Sequence, residues 1–274
     1  MHRTQPPSHE PQLAAMKHIR TPRGVTVSFD RYGTGPLLVL VHGGFSDHRT
    51  NWSFVKPLFE RSFTVCAVAR RGRGDTDATT GHSMDDEVDD VVAVVESLDA
   101  PVFLLGHSYG AHCVLGAALR TLDRVRKVVA YEPAWPWVLG PERLAPLDRL
   151  VDARDWNGFP FTFFRDVLLV PVADLETVRA TPELWQPIVD DAEASVGDLR
   201  AISRYSFDPE RFRGLTRPVM LQIGTESPRD LYVTDALAAV LPDVHIGELQ
   251  GQAHEGMTTA PEQYAQAVAR FLLD

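Results

Sequence analysis

The pentapeptide Gly106-His107-Ser108-Tyr109-Gly110 lies between an apolar run, Val102–Leu105, and a segment with Ala111, Val114, Leu115, Ala118 and Leu119 at helical spacing. A strand-to-helix turn this sharp holds its serine in a strained backbone conformation, and bare flanking positions make room for it. Such a turn lifts the Ser108 hydroxyl above the sheet at a helix N-terminus. The dipole there favours negative charge developing on a substrate oxygen. The chemistry within reach is nucleophilic attack on a carbonyl. A hydroxyl near its free pKa is a weak nucleophile, so a base is required. Among the ten histidines, His254 stands in Gly251–Met257, a loop between the last strand and the last helix, on the same carboxyl edge of the sheet as Ser108. His2, His9 and His18 fall in the N-terminal segment and are expected to be solvated, and His107 is expected to point away from the turn. His42-Gly43-Gly44-Phe45 ends another apolar run, Leu37–Val41, and its bare backbone can aim N–H groups at an oxyanion. We assign that role to the backbone N–H groups of Gly44 and Tyr109, with His42 supporting the loop.

These residues need a sheet beneath them. Leu37–Val41, Phe63–Ala69 and Val102–Leu105 are apolar runs, as expected of strands buried on both faces, and Arg126–Tyr131 is the next strand. Val25, Val27 and Phe29 alternate ahead of them, forming a strand pair with Gly33-Thr34-Gly35-Pro36 as the turn. A helix is predicted from Ser83, with Ser83 and Asp86 at capping-box spacing and Val88, Val91, Val92, Val95 and Leu98 as its buried stripe. Strand and helix alternation predicts a parallel sheet with right-handed crossovers. The pattern lapses over 134–213, which is rich in Pro, Trp and Phe and holds helical pieces at Pro141–Ala153, Asp174–Arg179 and Pro182–Val196. It resumes with a strand at Pro218–Ile223, a helix at Asp230–Leu241, a strand at Val244–Leu249 and a last helix carrying Tyr264, Val268, Phe271 and Leu272. The expected organisation is a loose segment 1–15, an α/β core over 16–133 and 214–274 with a mostly parallel central sheet flanked by helices, and a helical cap over 134–213.

With 274 residues and 44% hydrophobic content, the chain can bury a large core. Its net charge of −10 and the absence of a basic cluster argue against nucleic acid as a partner. Cys66 and Cys113 have no metal-ligand spacing and read as small core residues. No run of about 18 apolar residues calls for a membrane span, and Met1–Leu13 lacks the apolar stretch of a secretory signal, so a cytoplasmic location and no membrane partner are expected.

The sequence resembles the alpha/beta-hydrolase superfamily, in its serine-nucleophile, single-cap, esterase-like branch, over about residues 24–272. The marks are the His-Gly-Gly strand end, Arg71-Gly72-Arg73-Gly74, the Gly-His-Ser-Tyr-Gly turn, Tyr131-Glu132-Pro133 and the late His254. The resemblance implies Ser108 as nucleophile and His254 as base, in the family's order of serine, acid, histidine. It also exposes two departures. Members usually carry Asp at the position of Ala69, where it is generally structural, so its loss bears on loop stability. The commoner location of the acid falls on Ser227; Glu226 is adjacent, and the other family location, the end of the preceding strand, holds Glu132. Glu132 is preferred, Glu226 is the alternative, and Asp230 ranks behind both.

Many aromatic residues fall in or beside 134–213, which suggests an apolar pocket. Phe45, Trp135 and Trp137 are expected to line it. The expected activity is hydrolysis of a small apolar or aromatic carboxylic ester or lactone through an acyl-enzyme, with no metal and no organic cofactor; a homodimer stays open. Thioester or carbon–carbon bond hydrolysis, cofactor-free haloperoxidase-like chemistry and a non-catalytic ligand-binding role remain open within the same fold.

Overall fold

A computed structural model describes residues 15–274. The segment 1–15 expected to be loose lies outside it up to Ala15, where the first strand begins. Eight strands form one sheet: β1 (Ala15–Arg20), β2 (Thr26–Tyr32), β3 (Leu37–Val41), β4 (Thr64–Ala69), β5 (Val102–His107), β6 (Val125–Tyr131), β7 (Val219–Gly224) and β8 (Val244–Leu249). Their order is β1-β2-β4-β3-β5-β6-β7-β8. The pairings β1–β2 and β2–β4 are antiparallel. All others are parallel. The strand pair of the N-terminal region is therefore β1–β2. The turn at 33–36 does not make a hairpin, because β4 lies between β2 and β3.

Each central strand feeds two cores. From β3, Val39 and Val41 face a cluster that includes Val88, Val91 and Val114. Leu38 and Leu40 face the other, with Trp52, Phe59 and Tyr264. The helices that cover these faces include α1 (Lys56–Phe59), α2 (Met84–Ser97) and α3 (Tyr109–Arg120). In α2, Ser83 Oγ accepts the Asp86 N–H and the Asp86 carboxylate accepts the Ser83 N–H, so the capping box closes with Asp in the usual Glu place. Cys66 and Cys113 are buried and unpaired.

Between β6 and β7 come α4 (Pro141–Asp152), α5 (Gly158–Asp166), α6 (Val172–Arg179), α7 (Pro182–Asp190) and α8 (Ala192–Ser203). The piece expected at 182–196 is two helices, and α5 carried no helical signal in the sequence. The helix expected at 230–241 is a 3₁₀ turn at Arg229–Leu231 followed by the short α9 (Thr234–Ala238). The one-turn α10 (Gly256–Thr259) and α11 (Pro261–Leu273) end the chain. Among the described residues no helix is long and apolar enough to cross a membrane.

Candidate active site

Ser108 is the first residue off β5, with φ +53° and ψ −116°, a conformation L-residues adopt only under strain. The glycines explain how the turn tolerates it. A Cβ at Gly106 would overlap the carbonyl of Gly110, and one at Gly110 would overlap the carbonyls of Val41 and His42. Ser108 N–H donates to the Tyr131 carbonyl of β6 (2.8 Å), which fixes the turn against the neighbouring strand. The hydroxyl stands half-buried at the start of α3.

At the next strand end, Glu132 is also in the left-handed region (φ +49°) and fully buried. Its Oε1 accepts the Gly224 N–H at the end of β7 (2.8 Å), and its Oε2 accepts a hydrogen bond from His254 Nδ1 (2.6 Å). A carboxylate can only accept, so the His254 proton sits on Nδ1 and Nε2 keeps its lone pair. Burial pulls the His254 pKa down, but the Glu132 hydrogen bond and charge, with Glu255 beyond, hold it above its ordinary value. Of the two glutamates left open by the sequence, Glu132 is on the ring. Glu226 is exposed, with its Oε1 3.4 Å from Thr225 Oγ1. Asp230 is exposed as well.

Two neighbours steady the imidazole. His107, expected to point away from the elbow, instead lines the cavity beside Ser108, its ring 4.7 Å from that of His254 and its Nε2–H donating to the His254 carbonyl (3.0 Å). Burial and the nearby His254 charge hold His107 neutral, far below its ordinary pKa. Tyr232 stacks on the His254 ring (centroids 5.6 Å, 15° apart) with its hydroxyl 3.2 Å from Nδ1. Sequence reasoning missed Tyr232. It arrives through a bridge between Ala134 and Tyr232 that ties the chain after β6 to the chain after β7.

The loop after β3 lies against the elbow: a Cβ on Gly43 would come 3.3 Å from Ser108 Cβ. His42 Nδ1–H donates to the Gly43 carbonyl (2.8 Å), and its Nε2 accepts the Arg70 N–H (3.2 Å). Burial and the charges of Arg70 and Arg73 hold His42 neutral, well below its ordinary pKa. Phe45, at φ +54°, donates its N–H to Ser195 Oγ on α8 (2.7 Å).

A model described as "Alpha/beta hydrolase family" matches residues 38–267, most of the chain. The chain belongs to the alpha/beta hydrolase family. It is similar to the 2-(acetamidomethylene)succinate hydrolase of Mesorhizobium japonicum (28% identity over 90% of this chain and 92% of the relative). It is also similar to the zearalenone hydrolase of Bionectria ochroleuca (26% identity over 91% and 95%). The crystal structure of an alpha/beta hydrolase from Sphaerobacter thermophilus superposes with a TM-score of 0.80 at 25% identity, covering 93% of this chain and 99% of that one.

In this hydrolase Gly44, Ser108, Tyr109 and His254 line one cavity. Its apolar walls come from Ala134, Val138, Leu139, Phe163, Phe164, Val167, Leu168, Leu199 and Ile202, with Asp198 and Glu255 as the carboxylates. Trp135 and Trp137 are not among them, contrary to expectation. The 3₁₀ turn Pro136–Leu139 sends Val138 and Leu139 inward and leaves Trp137 58% exposed. Trp135 packs edge-on against Phe207. Phe45 sits one layer behind the wall, its ring 4.8 Å from Phe163 and 5.4 Å from Phe164.

Beneath the loop after β3 lies a buried charge network that the sequence did not announce. Arg70, Arg73, Glu87 and Asp198 are at most 3% exposed. Arg70 and Arg73 both bind Asp198 (2.6 and 2.8 Å), and Arg73 also binds Asp191 (2.8 Å). Arg71 grips Asp90 with two hydrogen bonds, 2.6 and 3.0 Å. These pairs brace the Arg70–Gly74 turn, where Ala69 replaces the structural Asp expected from the family pattern. His107, His254 and Glu255 offer ligand atoms within 4.8 Å of one another. Both His107 nitrogens already have partners, Asn51 Oδ1 (3.1 Å) and the His254 carbonyl (3.0 Å), and His254 Nδ1 is committed to Glu132.

Proposed function

We propose that the chain is a serine hydrolase of neutral, apolar or aromatic carboxylic esters or lactones, acting through an acyl-enzyme. The observation that carries this reading is the 2.6 Å hydrogen bond from His254 Nδ1 to the buried Glu132, which leaves Nε2 as the free basic nitrogen in a cavity shared with the Ser108 hydroxyl. Ser108 Oγ adds to the carbonyl carbon as His254 Nε2 takes its proton. The oxyanion accepts hydrogen bonds from the N–H groups of Gly44 and Tyr109. Collapse of the tetrahedral adduct breaks the bond to the alcohol oxygen, which takes the proton from His254. Water then repeats the sequence on the acyl-enzyme, with His254 as base, and releases the acid. Glu132 holds the tautomer and stabilises the imidazolium. Residues 134–213 act as the cap over this site.

The lining supports the substrate class. Beside apolar walls it has no Lys or Arg, and of its two carboxylates Asp198 is already paired with Arg70 and Arg73, so an anionic acyl group would find no free cation and would face Glu255. The Mesorhizobium japonicum relative is named for a succinate; this cavity suits an uncharged acyl chain better. A fluorophosphonate probe followed by intact-mass measurement tests the mechanism: one adduct, lost in Ser108→Ala, is expected. No adduct on Ser108 would overturn the reading and leave ligand binding without turnover ahead. A series of nitrophenyl esters tests the class, with neutral acyl chains expected to outpace a hemisuccinate of equal length.

A further inference from the structure

The buried network can be followed atom by atom to the loop that carries Gly44. Arg70 spends all five guanidinium N–H groups. Nε donates to the His42 carbonyl (3.0 Å), Nη2 to the Gly43 carbonyl (2.8 Å) and Asp198 Oδ2 (2.6 Å), and Nη1 to Asp198 Oδ1 (3.0 Å) and Glu87 Oε1 (3.3 Å). The Gly43 carbonyl belongs to the same peptide unit as the Gly44 N–H. In a trans peptide those two groups point in opposite directions. A cation clamped on the carbonyl therefore fixes where the N–H points, and by polarising the amide it strengthens the N–H as a donor. The following peptide is held too, because Phe45 N–H donates to Ser195 Oγ (2.7 Å), which donates in turn to Asp191 (2.8 Å). The guanidinium also lies over the Tyr109 ring, 4.2 Å from its centroid. One side chain thus holds the carbonyl of the peptide that carries the Gly44 N–H and covers the ring of Tyr109.

Buried ion pairs add little net stability, since desolvation consumes most of the Coulombic gain. Stability alone is a weak reason for two arginines and three carboxylates between α8 and the loop; positioning is a stronger one. We propose that Arg70 is a positioning residue that aims the Gly44 N–H at the oxyanion, and that Ser195 and Asp198 on α8 complete the clamp, so the hole is fully formed only while α8 is docked on the loop.

This rests on the serine-hydrolase reading, and the test separates the two. Arg70→Lys keeps the charge beside Asp198 but has three donors on one atom, too few to span two carbonyls and a carboxylate. Ser195→Ala keeps every charge and releases only the Phe45 N–H and the hydroxyl's other partners. For each full-length variant we would measure kcat and KM on nitrophenyl acetate. Inhibition by an aryl trifluoromethyl ketone, which adds to the serine and carries an oxyanion, would be compared with inhibition by the matching alcohol, which carries none. Deleting an oxyanion donor costs about 10²–10³ in kcat, so misaiming one in Arg70→Lys should cost about 30-fold, with the ketone weakened by a similar factor. KM and alcohol inhibition should stay within about threefold. Ser195→Ala should show the same pattern at about fivefold, and it decides alone if Arg70→Lys does not fold. Unchanged kcat, or equal losses for ketone and alcohol, would overturn the positioning role while leaving the hydrolase reading intact. If the wild-type chain neither turns over the ester nor binds the ketone, both fall.

Discussion

Glu132→Gln is the sharpest perturbation the site offers, because the surroundings dictate how the new amide must sit. Glu132 Oε1 accepts the Gly224 N–H (2.8 Å), and that buried donor still needs an acceptor. The glutamine oxygen must therefore stay on Gly224, which turns its NH₂ toward His254 Nδ1, now 2.6 Å from Oε2. Two donors cannot face each other, so the imidazole proton moves to Nε2. The nitrogen that should take the Ser108 proton then already carries one. The swap is isosteric; losing one charge-assisted hydrogen bond costs about 1.5–3 kcal/mol, inside the usual 5–15 kcal/mol of a folded domain, so the variant folds. A wrong-tautomer substitution elsewhere lowers kcat about 10⁴-fold, and we expect about 10³–10⁴, or about 4–5.5 kcal/mol of barrier. Nitrophenyl acetate hydrolysis at pH 8 measures it, with circular dichroism to verify the fold. A loss under about tenfold would refute the tautomer argument. Glu226→Gln, on an exposed side chain, should stay within about twofold.

Ser108→Ala, His254→Ala and the double variant should lose nearly the same activity, because the groups act as a unit; additive losses measured on one ester would refute a shared step. Activity should rise with pH as His254 loses its proton. With Glu132 holding its pKa up, the midpoint should lie above the ordinary value of about 6.5 and drop in Glu132→Gln. A kcat/KM profile flat between about pH 5 and 8 would speak against a histidine base. Gly110→Ala should destabilise the chain by about 1–3 kcal/mol or more, because its Cβ meets the backbone carbonyls of Val41 and His42; an unchanged Tm would contradict the tight elbow.

What the sequence disclosed and what it hid follow from how each element is built. Strands buried on both faces read plainly because every residue of Leu37–Val41 and of 102–106 must be apolar or small. The Ser108 elbow was equally plain, since a glycine-flanked serine between an apolar run and a helical stripe is a local pattern, although Gly110 answers to the distant carbonyls of Val41 and His42. Hairpin pairing was not. The alternation of β2 shows a half-buried strand but carries no record of its partner, and β4 intervenes where a tight turn suggested β3. α5 escaped because Gly158, Pro160 and four phenylalanines give it poor helix propensity, which burial of Phe159 and Pro160 overrides. Trp135 and Trp137 were drawn toward the cavity by their nearness to Glu132, yet one 3₁₀ turn decides which side chains face in.

The arginines are the instructive failure. Arg71-Gly72-Arg73-Gly74 entered the sequence reading as a family mark alone, with no role for its charges. Arg70, Arg71 and Arg73 are all buried: Arg71 meets Asp90 on α2, 19 residues on, but Asp198 is 128 residues from Arg70, and Asp191 is 118 from Arg73. No local pattern can announce such a pairing, since neither half has a reason to be where it is until α8 docks. The consequence is functional as well as structural. A carboxylate buried with two guanidiniums is tolerable only while both partners remain, so lifting α8 would expose or orphan charge at the moment it frees the oxyanion loop. Moving α8 is therefore opposed by the same contacts that are proposed to aim Gly44. By contrast, Phe163 and Phe164 of α5 meet the cavity wall through ring contacts with Phe45, without the charged groups that Asp191 at the start of α8 and Asp198 within it bring to the loop.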